Sequence, residues 1–190
     1  MSSMSKCIRR MRWHRGLALV LGFALSLTAL PAGAKPDREA TTLERQVKAA
    51  FVFKFGTFVE WPDAAFPQPD TPFSIAVMGD DPLAAELEQL TGARRINTRV
   101  VTVKRVKESD SLAGVHILFV GPSDMARIKA ITPRPMLVVS AAQGALAQGS
   151  VINFVLSEGR VRFEVSLETA EKRGLKLGSG LLSVALQVRR

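Results

Sequence analysis

The stretch Val47–Pro62, VKAAFVFKFGTFVEWP, decides the fold, because it holds four of the ten Phe residues of the chain. At about 100° per residue in a helix, most of its apolar side chains fall in one broad arc, which predicts a buried face. That arc contains Val47, Ala50, Phe51, Val52, Phe55, Phe58 and Val59. The later segments are shorter, so we expect them to pack on this helix.

Residues 1–34 have the pattern of an export signal. The segment has five basic and no acidic residues near its start, then the apolar run Leu17–Leu30, then the A-x-A motif Ala32-Gly33-Ala34. We expect cleavage after Ala34 and a periplasmic location. An uncleaved anchor is the alternative, although a membrane span needs roughly 20 apolar residues. Residues 35–40 are expected to form a flexible lead to a single domain over 41–190.

Removal of this segment changes the charge and the cysteine content. The chain has 26 Lys and Arg against 17 Asp and Glu residues. The five basic residues of the signal leave 21 against 17, a balance that gives little support for nucleic-acid binding. The single cysteine, Cys7, lies in the same segment. We therefore expect neither a disulfide nor thiol chemistry in the processed protein.

The rest of the sequence alternates short apolar runs with turn signals and brief helical segments. A capping box at Thr41–Glu44 predicts that the long helix begins at Thr41, and Pro62 is expected to end it. Asp81 is expected to cap a helix over Pro82–Leu90 that closes at Gly92. The predicted strands are Phe73–Met78, Val100–Val106, His116–Val120 and Met136–Ser140. Apolar residues on both faces of such runs favour a parallel sheet that is covered on both sides.

The C-terminal part predicts a different arrangement. Val151–Leu156 and Arg160–Val165 are joined by a short loop that contains Gly159, which indicates an antiparallel hairpin. Ser166 is expected to cap a short helix, and Ser179 a last helix that runs through Ala185. The predicted fold class is α/β, a mainly parallel sheet flanked by helices with a C-terminal antiparallel hairpin at the sheet edge.

Two residues of the long helix do not fit a simple amphipathic pattern. Lys54 falls inside the apolar arc, and we expect its methylene groups to lie along that surface while its amine reaches a polar partner. Phe53 falls among polar residues. Either the C-terminal hairpin covers Phe53, which buries the helix on two sides, or the ring is exposed and contacts a partner or a second copy. We favour coverage.

Few residues are available for catalysis or metal binding. His116 is the only histidine after residue 34, and neither Ser123 nor Ser140 lies in a G-x-S-x-G elbow. With no cysteine and one acidic pair, Asp80-Asp81, the sequence predicts no enzyme, no cofactor and no metal site. These acids and both serines nevertheless follow strands, where α/β folds bind ligands. A small-ligand site at Asp80, Asp81, Ser123 and Ser140 is therefore an alternative.

A basic segment covers residues 94–107. Its basic residues are Arg94, Arg95, Arg99, Lys104, Arg105 and Lys107. No aromatic residue lies among them to stack on bases, so we expect no binding of single-stranded nucleic acid. A solvent-exposed face is the simplest interpretation, and weak contact with anionic cell-wall polymer or lipid headgroups is the alternative.

A second charged group lies on the predicted hairpin. Arg160, Arg162 and Glu164 share one face of a strand, because side chains alternate between the two faces. Such a row can discourage strand addition at an edge, or it can recognise a partner domain. Together with Phe53 and Phe154, these are the residues that we predict at a partner interface.

Several motifs from Glu44 to Gln187 are shared with a known family. They include QVKAAF at 46–51, FVEWP at 58–62, MGDDP at 78–82, HILF at 116–119, INFVL at 152–156 and GRVRFEV at 159–165. In these motifs the chain resembles the YfiR-like periplasmic repressors. The resemblance implies a compact α/β domain without catalytic activity. It also implies repression of a membrane-bound diguanylate cyclase through its periplasmic sensor region, with release under envelope stress.

The expected function is therefore that of a periplasmic, non-catalytic regulator that lowers cyclic di-GMP and biofilm formation. Its expected partner is the periplasmic domain of an inner-membrane diguanylate cyclase, and a homodimer is a further expectation. Some relatives have disulfides, but redox sensing by that route is not expected here. The alternatives are a periplasmic small-ligand-binding module and, more weakly, an envelope protein that contacts the cell wall through the basic segment.

Overall fold

A computed structural model of the protein describes residues 36–190, with side chains from residue 38 onward. The predicted export signal and its cleavage site lie outside the described residues. Among the helices that are described, none is long and apolar enough to cross a membrane.

The chain forms five α-helices and ten strands over the described residues. The helices are α1 Pro36–Phe58, α2 Asp81–Thr91, α3 Arg127–Ala130, α4 Leu167–Lys172 and α5 Ser179–Leu182. The strands are β1 Val59–Glu60, β2 Phe73–Met78, β3 Arg95–Ile96, β4 Arg99–Arg105, β5 Ile117–Val120, β6 Leu137–Ser140, β7 Ile152–Ser157, β8 Arg160–Ser166, β9 Lys176–Leu177 and β10 Gln187–Arg189. Short 3-10 helices occupy Asp63–Ala65, Pro122–Asp124 and Ala145–Gln148.

Eight strands form one mixed sheet in the order β10-β8-β7-β6-β5-β2-β4-β3. Only the β7–β8 and β3–β4 pairs are antiparallel, so the sheet is mainly parallel, as predicted. The predicted hairpin is confirmed as β7–β8, with Phe154 opposite Phe163. An unpredicted strand, β10, runs parallel to β8 on its outer side. Strands β1 and β9 form a separate two-stranded sheet.

The central strands are buried on both faces, as their apolar runs predict. Ile75, Val77 and Phe119 belong to a core that also includes side chains of α1 and α2. Ala76, Met78 and Leu118 point the other way, into a second core that includes residues of α3 and the 3-10 helix at 145–148. Successive side chains of a strand alternate between faces, so each apolar run supplies both cores.

Helix α1 differs from its prediction in length. It begins at Pro36 rather than at Thr41, which places the predicted capping box inside the helix. A proline is tolerated at the first helical position, because the N–H group that it lacks would have no hydrogen-bond acceptor within the helix. The helix ends at Phe58, before Pro62, because the next two residues pair with β9.

The buried stripe of α1 is also rotated from the predicted arc. Ala49 and Val52 are buried with Gly56, whereas Ala50 and Lys54 are exposed, so the predicted packing of Lys54 along the core is wrong. At Gly56 a Cβ atom would lie 2.7 Å from Ile96 Cδ1 and 3.1 Å from the Phe73 ring. The missing side chain therefore lets the helix approach the sheet closely.

Smaller differences concern caps and short elements. The N-cap of α2 is Asp80 rather than Asp81, and its Oδ1 accepts a hydrogen bond from the Leu83 amide at 3.0 Å. Ser166 caps α4 as predicted, whereas α5 ends at Leu182 and is preceded by Gly178 at the cap position. Between β5 and β6 the chain forms a 3-10 turn at Pro122–Asp124 and then the single helical turn α3.

Candidate functional site

The predicted charged row lies on the accessible face of β8. Arg160 and Arg162 are exposed, and Glu164 is half-buried. Arg162 stands opposite Val155 and Glu164 opposite Asn153 in the antiparallel register with β7. The alternation that was read from the sequence therefore places these three side chains together, as expected.

The two predicted aromatic interface residues are buried instead. Phe154 is 2% exposed and packs against Phe51 and Phe55 of α1, with ring centroids 6.1 and 5.8 Å away. Phe53 is 8% exposed, so the exposed-ring interpretation is wrong and the helix is buried on two sides. Neither ring is available for a partner in this fold.

The cover over Phe53 is not the hairpin. The guanidinium carbon of Arg94, just after α2, lies 5.9 Å from the centroid of the Phe53 ring, a cation–π distance. The hairpin covers the other side of α1, where Phe163 meets Phe55 edge to face at 5.1 Å. Helix α1 therefore lies between α2 and the hairpin, which explains why apolar residues occur on two of its faces.

The segment 184–188, which leads into β10, carries an exposed apolar row that was not predicted from the sequence. Val184, Leu186 and Val188 are 53%, 46% and 36% exposed, and they alternate with Ala185 and Gln187. This period of two was visible in the sequence VALQVR, but residues up to Ala185 were interpreted as a helix.

Val188 lies on the opposite face of the sheet from the charged row of β8, because paired residues of neighbouring strands point to the same face. Gln187 is in register with Glu164, and Val188 with Val165. Arg189 Nη2 lies 3.4 Å from Glu164 Oε2, an ion pair that links the last strand to the charged row. We call Arg160, Arg162, Glu164 and this apolar row together the β8–β10 edge.

The predicted ligand residues are only partly brought together. Asp80 and Asp81 line an open cleft of about 680 Å³ at the carboxyl end of β2, together with Asp124, the neighbour of Ser123. Ser123 donates a hydrogen bond to Asp124 Oδ2 at 2.8 Å. Ser140 is fully buried, and its hydroxyl donates to the Val120 carbonyl at 2.9 Å, so it does not belong to the cleft.

The acids of this cleft already have partners within the protein. Asp80 caps α2, and Asp81 Oδ1 lies 3.7 Å from Arg105 Nε. Arg105 also binds both carboxylate oxygens of Glu88, at 2.5 and 3.1 Å. These contacts stabilise α2 against the end of β4. Within residues 36–190 no group of three or more His, Cys, Asp or Glu side chains is arranged to hold a metal ion.

His116 is a structural residue at the amino end of β5. Its Nδ1 accepts a hydrogen bond from the Ser74 amide at 3.1 Å, and its Nε2 lies 2.9 Å from the Ala65 carbonyl, so Nε2 carries the proton. Its ring stacks on Phe66 at 4.3 Å and on Phe73 at 5.0 Å. The imidazole therefore ties the loop between β1 and β2 to the sheet.

We expect acid to loosen this contact. Burial lowers the pKa of His116 below its ordinary value of 6.5, and the nearby cation of Arg99 lowers it further, although the hydrogen bond to Ala65 opposes both. The unfolded chain then takes up the proton first, so the stabilisation is present above about pH 6.5 and is lost as the pH falls. Urea unfolding at about pH 7.5 and pH 5.5 measures the difference.

The matched comparison is His116→Gln, which removes the titrating group. The free energy of unfolding of this variant is expected to fall less between the two pH values than that of the wild type. An equal fall in both proteins would assign the acid sensitivity to other groups.

The fold and the site define an α/β domain with a charged row on β8 at one end of the sheet and exposed apolar residues in the neighbouring segment 184–188. A family model described as YfiR/HmsC-like matches residues 45–186, and the chain belongs to this family. A comparison with curated proteins found no match. Family membership indicates a regulatory, periplasmic protein connected with diguanylate cyclase control.

Proposed function

We propose that the protein is an exported, non-catalytic repressor that binds the periplasmic sensor domain of an inner-membrane diguanylate cyclase through the β8–β10 edge. Binding lowers cyclase activity and therefore cyclic di-GMP and biofilm formation. The observation that carries the choice of surface is the exposed apolar row at 184–188, and family membership supports the choice of partner.

The apolar row has the features of an interaction surface. Val188 lies in β10, and Val184 and Leu186 lie in the segment that leads into this strand. They are one third to one half exposed, although they lie next to the buried core of the hairpin. The outer side of β10 also leaves backbone N–H and C=O groups available for pairing with another chain. A partner strand that pairs with β10 would therefore gain backbone hydrogen bonds and apolar contacts together.

The charged row gives the interface its selectivity. Arg160 and Arg162 are exposed, and neither forms an ion pair with another described residue. Glu164 is already engaged by Arg189. The net charge of the row is therefore positive, and the complementary partner surface is acidic. Complementary charge mainly increases the association rate and excludes wrong partners.

Leu186→Asp is expected to weaken binding to the sensor domain at least tenfold. The substitution puts a charge into the centre of the apolar row, and a tenfold loss corresponds to only about 1.4 kcal/mol. Binding is measured by titration calorimetry with the purified periplasmic domain of a diguanylate cyclase encoded in the same genome. Because Leu186 is 46% exposed, the variant should fold normally.

Val100→Asp provides the matched control. Val100 is 51% exposed and lies on β4, near the other edge of the sheet. This variant is expected to bind as the wild type does. Equal binding by Leu186→Asp and the wild type would exclude the β8–β10 edge. A deletion strain with unchanged cyclic di-GMP and unchanged attachment would contradict the repressor function itself.

A further inference from the structure

A basic cleft of about 520 Å³ shares no lining residue with the cleft at Asp80. It is bounded by α3, the 3-10 helix at 145–148, α4 and the end of β10. Among its lining side chains are five that are basic: Lys129, Lys172, Arg173, Arg189 and Arg190. Glu168 is the one acidic residue in the lining. The cleft therefore has a strong excess of positive charge.

Arg173 is the central feature of this cleft, because its guanidinium is buried without sufficient hydrogen bonding. The residue is 5% exposed. Its Nη2 donates only a long bond of 3.4 Å to the Gly149 carbonyl, and both Nε and Nη1 are buried without a partner. A guanidinium has five N–H donors and remains charged in proteins, so leaving such groups unpaired in the interior is costly. The unpaired donors indicate a missing acceptor.

A second arginine increases the imbalance. Arg134 Nε is also buried without a partner. Burial lowers the pKa of the Arg173 guanidinium, and the positive charge of Arg134 lowers it further. The buried cation of Arg173 and the half-buried cation of Arg134 repel each other, and an anion bound between them would relieve this repulsion.

The acidic side chains that the structure describes do not supply that anion. Glu168 pairs with Lys172 at 2.6 Å, and Glu164 pairs with Arg189. Among the described residues no carboxylate forms an ion pair with Arg173 or with Arg134. An anionic ligand could supply the compensating charge.

We propose that this cleft binds a phosphate group, with Arg173 as the buried anchor and Arg134, Lys129 and Arg190 as the surrounding positive charge. The planar guanidinium fork matches two phosphate oxygens, and a doubly charged phosphate suits a pair of arginines better than one carboxylate does. The volume is within the range of small-molecule sites, so a phosphate ester fits. The phosphate belongs either to a soluble ester or to a phospholipid headgroup. The cleft adjoins the β8–β10 edge at Arg189, but none of the residues that define that edge lines the cleft. The proposed site does not depend on the proposed repressor activity.

Inorganic phosphate is the first probe. We expect it to raise the melting temperature of the purified protein in a saturable manner at constant ionic strength, with chloride as the comparison anion. Arg173→Met is expected to weaken phosphate binding at least tenfold in titration calorimetry. The same variant should unfold without phosphate at a temperature no lower than that of the wild type, because an unpaired buried cation is removed.

Arg160→Met is the matched control, since it removes an exposed arginine from the distant turn of the hairpin. It should keep the full response to phosphate. Absence of saturable binding up to tens of millimolar phosphate, or an equal response in Arg173→Met, overturns the proposal.

Vesicles identify the source of the phosphate. Vesicles of phosphatidylglycerol in phosphatidylcholine are compared with phosphatidylcholine alone. If inorganic phosphate competes with vesicle binding and Arg173→Met abolishes that binding, the source of the phosphate is a lipid headgroup. Phosphate binding without vesicle binding supports a soluble ester. Vesicle binding that Arg173→Met leaves intact, in the absence of any phosphate response, counts against the site.

Discussion

Replacing Phe55 by Ala is expected to lower the free energy of unfolding by about 3–5 kcal/mol. Phe55 is 2% exposed and lies where α1 meets the hairpin. Its ring is 5.8 Å from that of Phe154, 5.1 Å from that of Phe163 and 6.0 Å from that of Phe51. The substitution therefore removes several aromatic pairs, each worth about 0.5–1.5 kcal/mol beyond burial, and leaves a cavity between two elements.

Urea unfolding followed by circular dichroism measures this loss. Phe58→Ala, in the last turn of the same helix, is the control because its ring is 42% exposed. We expect it to cost less than half as much. If the two variants were equally stable, the contact between α1 and the hairpin would contribute less to the fold than its burial indicates.

The strands of the sheet were predictable because each is indicated by the residues of its own short segment. Phe73–Met78 and His116–Val120 are each apolar at every position but one, which is typical of strands covered on both sides. The hairpin was predictable from two alternating runs around Gly159, whose φ of 70° is readily adopted by glycine. These signals need no knowledge of distant contacts.

The orientation of α1 was not predictable in the same way. Periodicity assigns one buried arc to a helix, but α1 packs against α2 on one side and the hairpin on the other. Gly56 lies on the buried side because a small residue is needed near Phe73 and Ile96. Hydrophobicity scales give no weight to such a requirement. Periodicity therefore assigned Phe53 to the polar face and Lys54 to the buried arc, because it takes no account of packing on two sides or of the small residue at Gly56.

The candidate surface was predictable only in part. The charged row of β8 follows from alternation along one strand, whereas the apolar row depends on β10 pairing with a strand more than 20 residues earlier. Arg173 carried no signal in the sequence, because only the fold shows that its donors are buried without acceptors. Sequence patterns therefore identified the faces of single elements, and the sites arise where distant elements meet.

Replacing Gly121 by Ala is expected to lower the free energy of unfolding by about 3 kcal/mol, near the upper end of the cost of overpacking. A Cβ atom at Gly121 would lie 2.3 Å from the carbonyl oxygen of Gly79 and 2.8 Å from its carbonyl carbon. Its φ of −66° and ψ of 163° suit any residue, so the cost comes from the collision alone. Both collision partners are backbone atoms, which no change of rotamer can move.

The structure gives the strand ends little freedom to separate. The Gly121 amide donates to the Met78 carbonyl at 2.8 Å, and the ends of β2 and β5 are paired in the sheet just before it. Gly92→Ala is the control, since its nearest neighbour would be 3.9 Å from the new Cβ and its φ is −38°. That variant should be as stable as the wild type or slightly more stable. If Gly121→Ala were as stable as Gly92→Ala in thermal and urea unfolding, the prediction would be wrong. The ends of β2 and β5 beside the Asp80 cleft would then be able to move apart at little cost in free energy.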